Sequence, residues 1–274
     1  MEWLATYLAA YLAAYLLLGL ATGVVAGLLG VGGGLVMVPV LTTLFAQQGF
    51  PPAYNMHLAL GTSLAVISPT SIASLRAHHA HGAVDWTLFR HITPGVLLGG
   101  LLGGAVIAQV PSGALKLFFV AFLLYAATQM WFEFRPKPSR ALPGRWETVG
   151  VGSLIGAVSS WVGIGGGTLS VPFQIWCNVP LHRAIGTSAA IGLPIAIAGS
   201  VGFFASGQSV SGLPSGSAGF LYLPAVLTLA VATSFTAPWG ATLAHRLPVH
   251  RLKKLFAGLL YLLAVRMATS LWLA

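Results

Sequence analysis

Apolar residues fall along this chain in long blocks broken by short polar gaps. The first block covers about residues 3–29 and stops at Gly30-Val-Gly-Gly-Gly34, and a second covers 35–46. Others follow at about 58–75, 88–110 and 115–132, before the most polar segment, 133–147, with Arg135, Lys137, Arg140, Arg145 and three prolines. The order then repeats: 148–162, a second glycine cluster Gly163-Ile-Gly-Gly-Gly167, then 168–176, 184–205, 220–244 and 255–273. A helix needs about 20 apolar residues to cross a bilayer. The pattern predicts an all-α polytopic membrane protein of about eight to ten helical segments.

Composition agrees. Of 274 residues 57% are hydrophobic and 6% charged, against about 25% charged in soluble domains. Too few charges remain to coat a water-soluble surface, which excludes a cytosolic enzyme, a nucleic-acid-binding module and a disordered chain. The net charge of +9 comes from 13 Lys+Arg against 4 Asp+Glu, and most positives sit between apolar blocks, where they read as topology signals. Glu2 and the lack of Lys or Arg before the first block point to a retained helix rather than a secretory signal. The single cysteine, Cys177, gives neither a disulfide framework nor a thiolate metal site. No cofactor motif is present, and no metal is expected.

The two halves are related. Gly32-Gly33-Gly34 and Pro39 recur as Gly165-Gly166-Gly167 and Pro172, 133 positions on. His57, Gly61-Thr62-Ser63 and Pro69 recur as His182, Gly186-Thr187-Ser188 and Pro194 at an offset of 125. Gly103, Pro111, Leu115-Lys116 and Met130 recur as Gly240, Pro248, Leu252-Lys253 and Met267 at 137. Three collinear groups mark a duplication: residues 1–132 and 148–274 are two transmembrane repeats joined by the linker 133–147.

Charge gives their relative orientation. Loop 76–90 carries Arg76, Arg90, His78, His79 and His81, while its counterpart 206–219 has no Lys or Arg. Gap 47–56 lacks both, whereas 178–183 contains Arg183; segment 109–116 has one positive against four in 246–254. Cytoplasmic loops are enriched in Lys and Arg, so equivalent loops lie on opposite sides and the repeats are inverted. The linker is then cytoplasmic and both termini lie outside. Each repeat must begin with a glycine-tipped hairpin that enters and leaves on one face.

Three glycines cost about 1 kcal/mol each relative to Ala inside a helix. Backbone at membrane depth leaves a helix only where protein buries it or a polar cavity takes it up. Free N–H groups at such a break suit an anion, and paired broken helices at the midplane are a secondary-transporter architecture. The alternative is that the glycines only let helices pack closely. Gly32, Gly33, Gly34, Gly165, Gly166 and Gly167 are therefore candidate binding residues.

The paired segments Gly30-Val-Gly-Gly-Gly-Leu-Val-Met-Val-Pro39 and Gly163-Ile-Gly-Gly-Gly-Thr-Leu-Ser-Val-Pro172 resemble those of the sulfite exporter TauE/SafE family. So do the two Gly-Thr-Ser triplets and His81-Gly-Ala-Val-Asp-Trp86. The resemblance covers nearly the whole chain. It implies a multi-pass permease of a bacterial-type plasma (inner) membrane for sulfur-containing anions such as sulfite, sulfonates or sulfoacetate.

Thr62, Ser63, Thr187 and Ser188 offer hydroxyls that hold an oxyanion without fixed charge; their alternative use is to bond backbone or a neighbouring helix. Thr168 and Ser170 are similar candidates. Arg266, inside the last block, is a further candidate, with snorkelling as its alternative. His57 and His182 read as structural caps before proton carriers. Asp85 reads as an N-cap with Trp86 as interfacial anchor. The trio His78, His79 and His81 reads as a solvated loop. Trp3, Trp86, Trp131, Trp146 and Trp272 fit interfacial belts, and Trp161 and Trp239 suit packing more than a cavity wall.

A secondary transporter working by alternating access, with a small sulfur oxyanion or sulfonate as substrate, is the expected function. An anion channel of the same fold is the alternative. An intramembrane hydrolase using Ser63 or Ser188 is disfavoured, because Gly-Thr-Ser is not the Gly-x-Ser-x-Gly elbow and occurs in both halves. No nucleic-acid or protein partner is indicated; the expected partners are the substrate and the bilayer.

Overall fold

The computed structural model describes residues 2–30, 32–133, 141–244 and 249–272. The linker positions Arg135, Lys137 and Arg140, the loop residue Arg246, and the side chains of Trp3, Arg251 and Trp272 lie outside the described residues. Ten α-helices carry almost all the regular structure described, and each apolar block is one of them. The first half holds α1 (Glu2–Leu29), α2 (Gly34–Gln47), α3 (Pro52–Ala80), α4 (Trp86–Ala105) and α5 (Ser112–Trp131). The second holds α6 (Arg145–Val162), α7 (Gly167–Trp176), α8 (Leu181–Gly207), α9 (Leu223–Ala244) and α10 (Val249–Trp272). A two-residue ribbon pairs β1 (Ser217–Ala218) with β2 (Leu221–Tyr222) before α9.

Local chemistry sets the ends. Pro52 opens α3, where its missing N–H costs nothing. The Asp85 carboxylate caps α4 by accepting the Thr87 and Leu88 amides, both at 3.0 Å. α6 stops at Gly163, whose positive φ of 67° is a left-handed C-cap. Among the described residues six helices are long and apolar enough to span a membrane. With 14 and 10 residues, α2 and α7 are only about 21 and 15 Å long, short of a hydrocarbon core of about 30 Å.

The packing is the same seen from either half. α1 lies along α9, and α6 lies along α4; α3 packs on α8 and α9, and α8 on α3 and α4. α2 rests on α3 as α7 rests on α8, while α5 pairs with α10. Exchanging the two sets of five helices maps this list of neighbours onto itself. Glycines set the close pairs. On α1, side chains at Gly19, Gly23 and Gly27 would strike α9; on α4, Gly95, Gly99 and Gly103 meet α6 in the same way. The close-packing role weighed for the glycine clusters thus belongs to these other glycines too.

α3 and α8 form the centre, with 67% of each span buried against 28% for the α1 span. The rim is apolar and exposed, with Leu17, Leu98, Leu102, Leu117, Leu154, Leu227 and Val231 facing outward. So continuous an exposed apolar surface is what a lipid-facing perimeter requires. Trp86, Trp131 and Trp146 are exposed at helix ends, as belts demand. Trp239 is a correction: it neither packs inward nor walls a cavity, being 61% exposed beside Phe235. Trp161 does pack, and its indole N–H donates to the Gly103 carbonyl at 2.9 Å.

Candidate functional site

Both glycine clusters leave the helix. Gly30, Gly32 and Gly33 have positive φ, as do Gly163 and Gly166. Gly33 and Gly166 are the N-caps of α2 and α7, in the left-handed region at φ 75° and 78°. No side chain caps either helix, so their amino-terminal peptide dipoles are directed at the breaks.

The two breaks meet at the centre of the molecule. A methyl on Gly32 would lie 2.9 Å from the Gly165 amide nitrogen, and one on Gly34 would collide with the Gly163 carbonyl. Such contact leaves no room for any residue but glycine. The Ser63 hydroxyl ties the breaks together from α3, donating to the Gly163 carbonyl at 2.8 Å.

Beside this junction lies a small cavity of about 10 Å³, room for about one water. Gly30, Gly32 and Gly165 form its break side, and Ala189 and Gly192 of α8 form a wall. Opposite stand Thr70, Ser71 and Ser74 of α3. Thr70 donates to the Val66 carbonyl at 2.8 Å and shares a 2.5 Å contact with the Thr233 hydroxyl of α9. The Ser74 hydroxyl is buried with no hydrogen-bond partner among the described residues, as are those of Thr168 and Ser159. Buried polar atoms are normally satisfied, so the junction holds spare hydrogen-bonding capacity.

Of the residues singled out in the sequence, Gly32 and Gly165 line the cavity directly. Gly33, Gly34, Gly166 and Gly167 build the helix starts behind it. Ser63 is a strut between the breaks, and Ser188 pairs with the Ser170 hydroxyl at 2.6 Å. Thr62 and Thr187 do other work. Thr62 accepts the Tyr222 N–H at 3.0 Å, and Thr187 accepts the Asp85 N–H at 2.8 Å. Each thereby holds the chain leading into α9 or α4, the backbone use weighed for them from sequence. Arg266 is on the exposed face of α10, and the structure does not bring it to the junction.

His57 is structural, its ring Nε2 lying 3.1 and 3.0 Å from the carbonyls of Ile107 and Val110. His182 is exposed. His78 corrects the loop reading, because it is the last buried residue of α3, at 1% exposure, not a solvated side chain. His79 and His81 are exposed. Among the described residues no group of three or more His, Cys, Asp or Glu could hold a metal.

Thr70, Ser71 and Ser74 escaped the sequence reading. Their signal was present: hydroxyls three and four apart, on the face opposite the exposed Ile72. They carry no repeat signature, because α8 has no hydroxyl at the matching positions.

A family model described as "Sulfite exporter TauE/SafE" matches residues 15–267. A "Probable membrane transporter protein" of Haemophilus influenzae is 37% identical over 243 residues, spanning 88% of this chain and 92% of its own. A probable membrane transporter protein of Methanocaldococcus jannaschii is 25% identical over 243 residues, with 85% and 86% covered. No solved structure gives a significant match.

Proposed function

The chain belongs to the sulfite exporter TauE/SafE family of membrane transporters, and from that premise we propose that it carries small sulfur-containing anions, sulfite or organosulfonates, through a site at the paired helix breaks. The observation that supports this site is the junction itself: two uncapped helix starts, one from each half, beside a cavity with an unsatisfied hydroxyl. Dipoles and hydroxyls attract an anion without a fixed cation, which favours release as well as capture. One water's volume is smaller than any sulfur oxyanion, so helices must part to admit one. The described conformation is then an occluded form in an alternating-access cycle.

The repeats 1–132 and 148–274 are inverted in this reading; the symmetric helix pairing supports the repeat, and the loop charges support the inversion. The linker 133–147 and the Arg76–Arg90 loop face the cytoplasm of a bacterial-type cell, with both termini outside its plasma membrane. Asp85, Glu133 and Glu147 lie at helix ends, away from the cavity lining. Efflux of a monoanion from a negative interior is favourable by about 2.3 kcal/mol per 100 mV. Uniport-like export therefore needs no carboxylate relay.

The test is sulfite flux into proteoliposomes under an imposed potential, comparing the natural chain with Ala189→Leu, which fills the cavity. Saturable flux lost in a folded, monodisperse Ala189→Leu protein is the expected result. Flux that survives the substitution removes the cavity as the site. Flux with sulfonates but not sulfite narrows the substrate, and flux that neither saturates nor exchanges in trans makes the protein a channel.

A further inference from the structure

The two halves differ at one place where their packing matches. Beyond Ile67, every buried residue described on α3 is polar: Thr70, Ser71, Ser74 and His78. The α8 positions 125 further on are Ile195, Ala196, Gly199 and Phe203. Thr22 of α1 and Thr233 of α9 are buried hydroxyls too, and Thr233 touches Thr70. Their equivalents, Ile155 of α6 and Val96 of α4, pack with Ile195, Ile92 and Ile191 in a wholly aliphatic cluster. One crevice, between α1, α3 and α9, is lined with hydroxyls; in its counterpart between α6, α8 and α4 the matching positions are branched hydrocarbon, with the Ser159 hydroxyl behind them beside Gly166.

We infer that, as the helices part, the central cavity fills and empties through the α3 crevice, towards the face bearing Arg76 and Arg90, while the Ile-Val cluster seals the opposite route. This rests on the reading of the cavity as the substrate site. Hydroxyls at successive turns replace lost hydration, whereas an aliphatic constriction excludes water and ions. From Thr70 to His78 the stripe rises about 12 Å along α3. Its outer end is closed by a small residue: the Ala83 N–H bonds the His78 carbonyl at 3.1 Å, and the Ala83 carbonyl lies against Gly186. The exposed Arg76 and Arg90 flank that end and attract anions to it. On the opposite face the Phe220 N–H bonds the Phe203 carbonyl at 3.3 Å and the Phe220 carbonyl lies against Gly61. A phenyl ring thus stands where the Arg76 face has the Ala83 methyl, and Ile195 of the seal reaches inward to Gly166 at the α7 start.

Cysteine accessibility tests this without any need for transport. In full-length protein carrying Cys177→Ser, the equivalent positions are compared as Ser71→Cys and Ala196→Cys, using a membrane-impermeant cationic methanethiosulfonate on vesicles of either orientation. Ser71→Cys should label about tenfold faster, since thiols in apolar surroundings are inert, and only from the Arg76 face. Adding Ile195→Thr should speed labelling of Ala196→Cys. Equal rates, labelling of Ser71→Cys from the opposite face, or no labelling of either folded variant would overturn the inference. The expected labelling without flux of either sulfite or sulfonates would support the route and remove the substrate reading. Sulfite flux with equal labelling would do the reverse.

Discussion

Thr62 and Thr187 show how a repeated residue can serve the fold twice. Each hydroxyl takes one amide from the segment ahead of α9 or α4. The preceding glycine, Gly61 or Gly186, gives room for a carbonyl two residues earlier, that of Phe220 or Ala83. The pair forms a Gly-Thr latch, and the partners Asp85 and Tyr222 differ by 137 positions, the offset of the later repeat matches. Replacing Thr62 with Val strands a buried N–H, which costs about 1–3 kcal/mol, and replacing Thr187 strands a part-buried one at the lower end of that range. Each variant should lower the thermal midpoint in detergent while leaving the KM for substrate unchanged. A KM effect from a normally stable Thr62→Val would return that hydroxyl to the binding site. The triplets were legible as a repeat but not as a latch, because the amides they hold are 160 and 102 residues away in sequence.

At the scale of elements, the broken helices depend on backbone that only glycine adopts comfortably. Gly33 and Gly166 start α2 and α7 from the left-handed region, where a side chain costs about 1–3 kcal/mol. A methyl on Gly166 would also collide with the Ile195 side chain, whereas one on Gly33 would meet the Thr22 carbonyl at 2.9 Å. Gly33→Ala and Gly166→Ala should therefore both reduce the yield of folded protein and its melting temperature. Unchanged stability in both would mean that the breaks do not need their left-handed starts. The positions of these breaks were visible in the sequence, since three consecutive glycines inside an apolar run cost a helix about 3 kcal/mol relative to Ala. That the breaks touch each other was not visible, because it follows from how α3 and α8 cross.

At the scale of the molecule, five helices and their counterparts share one list of neighbours, and the inverted reading makes a simple demand. Ala80, the last residue of α3, and Gln208, just past α8, are both exposed at the matching ends of the two central helices. On a Cys177→Ser background, Ala80→Cys should label from the cytoplasmic side and Gln208→Cys from outside, in intact and inside-out vesicles. Labelling from one side would make the repeats parallel and overturn the topology. The molecule is also less symmetric than its packing, with hydroxyls in one crevice and aliphatic side chains in the other. The two sets of helices share a backbone arrangement, while their differing side chains give the two crevices different linings.

The sequence alone determined what depends on local pattern and solvent. Blocks of apolar residues must lie in lipid, glycine clusters must break helices, an Asp before a helix must cap it, and a duplicated pattern repeats its elements. It could not decide which polar groups share a cavity, since that depends on contacts between helices far apart in the chain. Thr70, Ser71 and Ser74 gain their place from α8 and from the second break. Thr62, Thr187 and Arg266 lose theirs to a backbone amide or an outward face. Only the packing of α3 on α8, with both breaks held between them, decides which hydroxyls face the cavity and which are consumed in holding the fold.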